Sequence, residues 1–298
     1  MLHTCCEPGA MKSLPLVLLP LLATIASIPV RAQTIAGAVE VDGIERTWQL
    51  FVPSSYKAGV DHPLVLDLHG SGGSPRGQAT TSAFSKLAAD KGFLVVNPAG
   101  KYVRTPTSGA TWNVDLDTNG VDDVRFVRSL IEHLKQRYSI DSRRIYATGF
   151  SGGARMSSRI ACDLSDVVAA VGLVGGVRFP DRCTPATPVA ILAIHSEDDG
   201  VNHYVHRADS PPYWPVGVNE AVSAWAGYNK CAATSSDHRL ATGGVRIEYE
   251  RCVAGGDVTL VKLKEGGHTW PGSAAAGAAE YAATAEIWNF FERHPRQQ

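Results

Sequence analysis

Gly149-Phe150-Ser151-Gly152-Gly153 sets a serine among glycines in the pattern G-x-S-x-G. A serine hydroxyl is a weak nucleophile at its own pKa and needs a neighbouring base before it attacks a carbonyl carbon. The pentapeptide is informative because of its setting. Residues 144–148 are β-branched and aromatic enough for a strand, and residues 154–161 suit a helix. In the order strand, sharp turn, helix, the turn lifts the serine oxygen clear of the backbone at the carboxyl edge of a sheet. Glycines around it remove Cβ atoms that so tight a turn would drive into each other.

The base expected for such a serine is a histidine oriented by a carboxylate, in the chain order serine, acid, histidine. The apolar run 189–194 leads into His195-Ser196-Glu197-Asp198-Asp199-Gly200-Val201-Asn202. A strand entering an acidic, glycine-ended loop is where the acid belongs. Asp199 is the first choice, Asp198 the second, and Glu197 trails both. The apolar run 258–263 leads into Lys264-Glu265-Gly266-Gly267-His268-Thr269-Trp270-Pro271-Gly272, so His268 sits on a glycine-flanked loop able to reach over the sheet edge. Acyl transfer also needs two backbone N–H groups facing the oxyanion. Gly152, directly after the serine at a helix start, supplies one. The turn His69-Gly70-Ser71-Gly72-Gly73 should supply the other, with Ser71 favoured.

Elements that could hold these groups alternate along the chain. Residues 47–52, 64–68, 93–96, 169–174 and 189–194 read as strands, and 245–251 and 258–263 extend the set. Residues 79–91, 123–138 and 280–293 read as helices. The clearest is 123–138, where Val124, Val127, Ile131, Leu134 and Tyr138 recur at steps of three and four, with Asp122 or Asp123 as cap. Such alternation argues a mostly parallel sheet covered on both faces, with functional loops at the carboxyl ends of its strands.

The composition fits a globular enzyme. The 298 residues are 44% hydrophobic and 19% charged, with a formal net charge of −1. That balance, without a long basic run, gives no reason to expect a nucleic-acid partner. The N-terminus reads as a targeting segment. Met11-Lys12 precedes an apolar stretch over 14–28, and Val30-Arg31-Ala32 offers small residues for cleavage between Ala32 and Gln33. The stretch is too short and proline-broken for a comfortable membrane span. Residues 1–32 are expected to be removed, translation to start at Met1 or Met11, and residues 33–298 to form one catalytic domain, secreted or periplasmic, without stable membrane association. Cys162, Cys183, Cys231 and Cys252 then remain, an even number in an exported chain. Of three connectivities, Cys162–Cys183 and Cys231–Cys252 is favoured, each closing a loop of roughly 20 residues and stabilising by about 3 kcal/mol. No Cys/His cluster suggests zinc. Asp115, Asp117 and Asn119 copy the opening of a calcium loop, but its twelfth position is Phe126, so the segment reads as a polar turn.

The chain resembles a known family along nearly its whole mature length. The resemblance is carried by Asp42-Gly43-Ile44-Glu45-Arg46, Leu68-His69-Gly70, Asp122-Asp123-Val124, Tyr146-Ala147-Thr148-Gly149-Phe150-Ser151 and Gly266-Gly267-His268-Thr269-Trp270-Pro271-Gly272. It is similar to the secreted esterases that group polyhydroxybutyrate depolymerase-like proteins with feruloyl esterases of the carbohydrate esterase type. That likeness implies an α/β-hydrolase fold, no cofactor, hydrolysis of carboxylic esters or polyesters, and Ser151, Asp199 and His268 as catalytic residues. Many relatives carry Asn or Ala at the position of Gly152 and Gly at that of Ser196. The first difference bears on how the elbow packs. Trp270, Trp214 and Arg155 are candidate substrate contacts. The alternative for Arg155 is a structural salt bridge, and Trp112 reads as core. Tyr213-Trp214 lies in a proline-rich stretch that could overhang the site. Two other functions compete: hydrolysis of an anionic polyamide such as poly(aspartate) by the same triad, and an idle α/β-hydrolase serving as an extracellular binding protein. An oligopeptidase-like enzyme ranks lower, for want of a propeller-sized region.

Overall fold

Short runs of buried aliphatic residues form the middle of the molecule. The computed structural model describes residues 1–4, 31–105, 107–241, 243–274 and 281–297, so most of the expected leader lies outside the described residues. The strands are β1 (Gln33–Val41), β2 (Ile44–Val52), β3 (His62–Leu68), β4 (Leu94–Pro98), β5 (Ile140–Phe150), β6 (Ala170–Val174), β7 (Ala190–Ser196), β8 (Ser235–Arg239), β9 (Val245–Tyr249) and β10 (Val258–Leu263). They make one sheet in the order β1-β2-β4-β3-β5-β6-β7-β10-β9-β8. The six strands from β4 to β10 run parallel. Antiparallel pairs close both ends. Every residue of β3, β4, β6 and β7 is buried, as parallel strands covered on both faces require.

The covering helices are α1 (Pro75–Ser82), α2 (Phe84–Lys91), α3 (Asp123–Lys135), α4 (Gly152–Asp163), α5 (Val218–Tyr228) and α6 (Ala283–Arg293). Successive side chains of a strand face opposite ways. Leu64, Leu66 and Leu68 therefore belong to one core cluster, shared with Leu130, Met156 and Trp225. Val65 and Tyr146 belong to a second cluster with Phe84, Ile287 and Phe291, where Tyr146 stacks on Phe291. Asp122 caps α3 through the Arg125 N–H. Asp123, next to it, forms a buried ion pair with Arg46 and accepts from the Asn113 N–H at 2.7 Å.

Three features depart from the expectations. Residues 33–41 form a strand, joined to β2 by the two-residue loop Asp42-Gly43, both at positive φ (53° and 73°). That is the signature of a type I′ hairpin turn. The helix expected over 79–91 is two helices, broken at Ala83 in the left-handed region at φ 53°. Helix α5 and strand β8 were not foreseen.

Cys162 is bridged to Cys183 and Cys231 to Cys252. In the calcium-like segment, Asp115 pairs with Arg178 at 2.9 Å, while Asp117 accepts from the Tyr102 hydroxyl and the Asn119 N–H. Among the described residues no group of three or more His, Cys, Asp or Glu side chains is placed to hold a metal, and no helix is long and apolar enough to cross a membrane.

Asp67, fully buried in β3, accepts from Gln78 Nε2 (2.7 Å), Ser82 Oγ (2.6 Å) and Asn97 Nδ2 (2.9 Å), tying α1 and β4 to the sheet. Burial raises its pKa to about 7 against the pull of these hydrogen bonds. An unfolded aspartate titrates near ~4, so between about pH 4 and 7 the folded chain holds a proton that the unfolded chain has released. The contribution of this group to stability is therefore greatest at the acid end and declines as pH rises through that window. Urea unfolding of parent and Asp67→Asn across it should show the parent losing stability relative to the variant. Parallel profiles would mean that Asp67 is ionised throughout.

Candidate active site

Strand β5 ends at Phe150, and α4 begins at Gly152. Ser151 between them has φ 53° and ψ −111°, a conformation costing an L-residue on the order of 1–3 kcal/mol. Its N–H donates to the Val174 carbonyl at 2.9 Å, and its carbonyl accepts from the Arg155 N–H at 3.0 Å. The glycines make room for the bend. A Cβ on Gly149 would lie 2.6 Å from the Gly153 carbonyl carbon, and one on Gly153 only 2.1 Å from the Leu68 carbonyl oxygen.

Asp199, beyond the end of β7, and His268, beyond the end of β10, meet through His268 Nδ1 and Asp199 Oδ2 at 2.8 Å. The carboxylate fixes the proton on Nδ1 and leaves Nε2 as the basic nitrogen. The other oxygen of Asp199 accepts the N–H groups of Val201 and Asn202, both at 2.8 Å. Burial alone would raise the pKa of Asp199. Hydrogen bonds from His195 and His268, with their charges, outweigh it and hold the carboxylate well below the usual range. Asp198 takes a different part: it accepts the Gly267 N–H at 2.8 Å and the Gly266 N–H at 3.3 Å, fastening the loop that carries His268.

The imidazole of His268 packs on Phe150, ring centroids 4.9 Å apart, beside the elbow. Ser151 is 7% exposed, and the His268 side chain 17%. Among the described residues the Ser151 hydroxyl makes no side-chain hydrogen bond, so its link to the imidazole is open in this conformation. Such links are often long in unliganded sites and tighten around substrate.

The turn after β3 is pinned from several directions. The Gly100 N–H donates to His69 Nε2 at 2.9 Å, which puts the ring proton on Nδ1, donating to the Gly70 carbonyl at 2.7 Å. Burial lowers the pKa of His69 against that second bond, keeping the ring neutral. Trp112 Nε1 donates to the His69 carbonyl, and the Gly72 and Gly73 amides donate to the carbonyls of Ala110 and Gly70. The Ser71 amide lies against the elbow instead. A Cβ on Gly152 would be 2.9 Å from Ser71 N and 2.6 Å from Ser71 Oγ. The Gly152 amide is at the first turn of α4, where no intrahelical acceptor exists. Hence the two amides singled out in the sequence are neighbours.

His195 escaped the sequence reading. Its Nε2 donates to the Asn202 carbonyl at 2.8 Å and reaches Asp199 Oδ2 at 3.2 Å, so two histidines share one carboxylate. Its place at the head of the acid loop, four residues before Asp199, was the available signal.

Two candidate substrate contacts are corrected. Trp270 is in the core, edge-on to Phe84, with Nε1 donating to Thr284 Oγ1 at 3.0 Å. Trp214 is fully buried, with Nε1 donating to the His203 carbonyl. Neither indole lines the clefts seen among the described residues. Arg155 is 2% exposed and lines one, of about 290 Å³, together with Tyr213 and Trp112. Among the described residues it makes no salt bridge.

The model of the family described as esterase PHB depolymerase matches residues 47–246, more than half of the chain. The chain belongs to this family. Feruloyl esterase B of Piromyces equi is 30% identical over 226 residues, 72% of this chain and 41% of that protein. The chain thus spans less than half of that relative. Feruloyl esterase D of Neurospora crassa is 25% identical over 267 residues, 85% of this chain and 83% of the relative. The structure of an acetyl xylan esterase from Aspergillus awamori superposes with a TM-score of 0.60 at 17% identity, covering 79% of this chain and 94% of that one. At that identity the likeness shows the fold alone, the α/β-hydrolase fold.

The elbow of this esterase-family member makes a sharp steric demand. Gly153→Ala should destabilise by about 3 kcal/mol, the range of a forced overpacking. Gly152→Ala should leave the fold largely intact and displace Ser71. Denaturant unfolding of both variants checks the contrast, and equal stabilities would contradict the packing described.

Proposed function

We propose that this chain is an exported serine esterase acting on carboxylic esters through an acyl-enzyme. One observation carries the reading: a serine held at a strained elbow, beside a carboxylate-oriented imidazole and the neighbouring amides of Gly152 and Ser71. The Ser151 oxygen attacks the ester carbonyl as His268 Nε2 takes its proton. Asp199 stabilises the imidazolium through Nδ1. The negative charge on the former carbonyl oxygen falls to the amides of Gly152 and Ser71. Collapse of the tetrahedral intermediate breaks the carbon–oxygen bond to the alcohol, which takes the proton from His268 as it leaves. Water, deprotonated by the same imidazole, then attacks the acyl carbon, and release of the acid restores Ser151.

The feruloyl esterases among the relatives and the family description support aryl esters or hydroxyalkanoate esters as substrates. Removal of residues 1–32 is part of the proposal, and strand β1 beginning at Gln33 agrees with it.

Turnover of 4-nitrophenyl butyrate by the mature protein tests the triad. Ser151→Ala should abolish it. Asp199→Asn should lower kcat by about 10⁴ through the wrong imidazole tautomer, whereas Asp198→Asn, which only loosens the His268 loop, should cost far less. Undiminished turnover in Ser151→Ala would remove the assigned nucleophile, and the larger loss in Asp198→Asn would exchange the two acids. A parent protein inert toward every ester tried would favour the binding-protein alternative.

A further inference from the structure

Arg155 carries a buried positive charge without a buried negative one. Its Nη1 donates to Asn202 Oδ1 at 3.4 Å and its Nη2 to Ser71 Oγ at 3.3 Å, both neutral and both long. Its guanidinium lies 4.3 Å over the Tyr213 ring, and Arg104 covers the same ring at 4.4 Å. Among the described residues no carboxylate lies within ion-pairing distance of Arg155. Of the two acids along this cleft, Asp115 is paired with Arg178, and Asp117 accepts from Tyr102 and Asn119. Removing a guanidinium from water costs several kcal/mol unless an anion or good hydrogen bonds compensate. Stacking on tyrosine returns only about 0.5–2 kcal/mol. Burial, helped by Arg104 and Arg178 and opposed only in part by Tyr213 and the more distant carboxylate of Asp115, lowers the pKa of Arg155 to about 10, which leaves it cationic at neutral pH.

This charge faces a cleft that adjoins the amides proposed for the oxyanion. Ser71 links the two: its Oγ accepts from Arg155, and its N and Oγ stand 2.9 and 2.6 Å from the Cβ position of Gly152. We propose that the cleft binds a carboxylate carried by the substrate close to its scissile ester, with Arg155 as the specificity-determining residue and Arg104 at the open side. A guanidinium offers a carboxylate two parallel N–H donors, and the ligand would supply the countercharge that the fold withholds. The inference rests on the esterase reading and names the class of ester: one bearing a free acid.

Matched pairs of esters test it. The first pair puts the charge on the acyl side: 4-nitrophenyl hydrogen glutarate against 4-nitrophenyl methyl glutarate. The second puts it on the leaving group: 4-butyryloxybenzoate against its methyl ester. In at least one pair the parent should prefer the acid by about tenfold or more in kcat/KM, as a charge-assisted contact provides. Arg155→Gln should bring that ratio to one or below, Arg104→Gln should reduce it, and added salt should reduce it in the parent. The Arg104 variant and the salt series keep the test decisive if Arg155→Gln does not fold. Ratios at or below one in both pairs for the parent would overturn the inference, as would a preference that survives every one of these changes. Turnover of the neutral esters reports separately on the esterase reading, which fails only if none of them is cleaved.

Discussion

The backbone at Ser151 is the constraint on which the rest of the site depends. No local preference puts a serine at φ 53° and ψ −111°, and the cost of holding it there, about 1–3 kcal/mol, must be met by the surroundings. The bend is set from both sides. Strand β6 accepts the Ser151 N–H, while α4 is pressed so closely under the end of β3 that residue 153 has no room for a side chain. These strands are the middle of the sheet, with β3 and β6 buried throughout. A strained turn survives where its neighbours cannot yield, and a close-packed two-faced sheet yields little. The same close approach sets Ser71 against Gly152. Strain at the serine and preorganisation of the amides are therefore one packing event.

A second constraint is electrostatic. Asp199 is buried, yet it receives two backbone N–H groups and two imidazoles. Those donors keep it ionised against burial, which by itself raises its pKa. A carboxylate so satisfied holds the imidazole in one tautomer and one orientation without moving during a reaction. Asp198 could not do this, although it is the same residue type one position away. Adjacent residues of a turn face different directions, and this one faces the glycine amides before His268. The two acids divide the work: one holds the ring, the other the loop that delivers it.

Much of this was legible because local pattern and global fold agree. Buried parallel strands announce themselves as short aliphatic runs, and the G-x-S-x-G segment between strand and helix admits few other uses. The failures have separate causes. The Asp42-Gly43 turn was a plain hairpin signal, but it was absorbed into a family motif and the strand before it went unread. The helical pattern of 79–91 continues through Ala83 with nothing in the sequence to mark the break, because an alanine in the left-handed region reflects how α1 and α2 dock rather than any preference of its own. Trp270 and Trp214 stand near the loops of the site along the chain, yet their indoles lie in the core. A tryptophan near such a loop can lean toward substrate or toward the core, and its packing and the acceptor of its N–H together decide which. Here Thr284 and the His203 carbonyl, both distant in sequence or hidden in a loop, draw the rings inward.

Asn202 shows how the site and the adjoining cleft are held in register. It is fully buried, and each of its polar groups has a different partner. The backbone N–H goes to Asp199 and the backbone carbonyl accepts from His195. The side-chain amide donates to the Gly175 carbonyl at 2.6 Å, and its oxygen accepts from Arg155. One residue thus fixes the acid, the second histidine, the loop after β6 and the arginine of the cleft. Buried polar networks of this kind are costly unless complete. This one is tight at Asp199 and the loop, although the buried Nδ1 of His195 has no partner, and it ends, on its outer side, at a guanidinium with two long bonds to neutral atoms. A network that is tight around Asp199 and slack toward an open cleft is suited to accept one more group there, and the charge on Arg155 makes that group an anion in the reading proposed above.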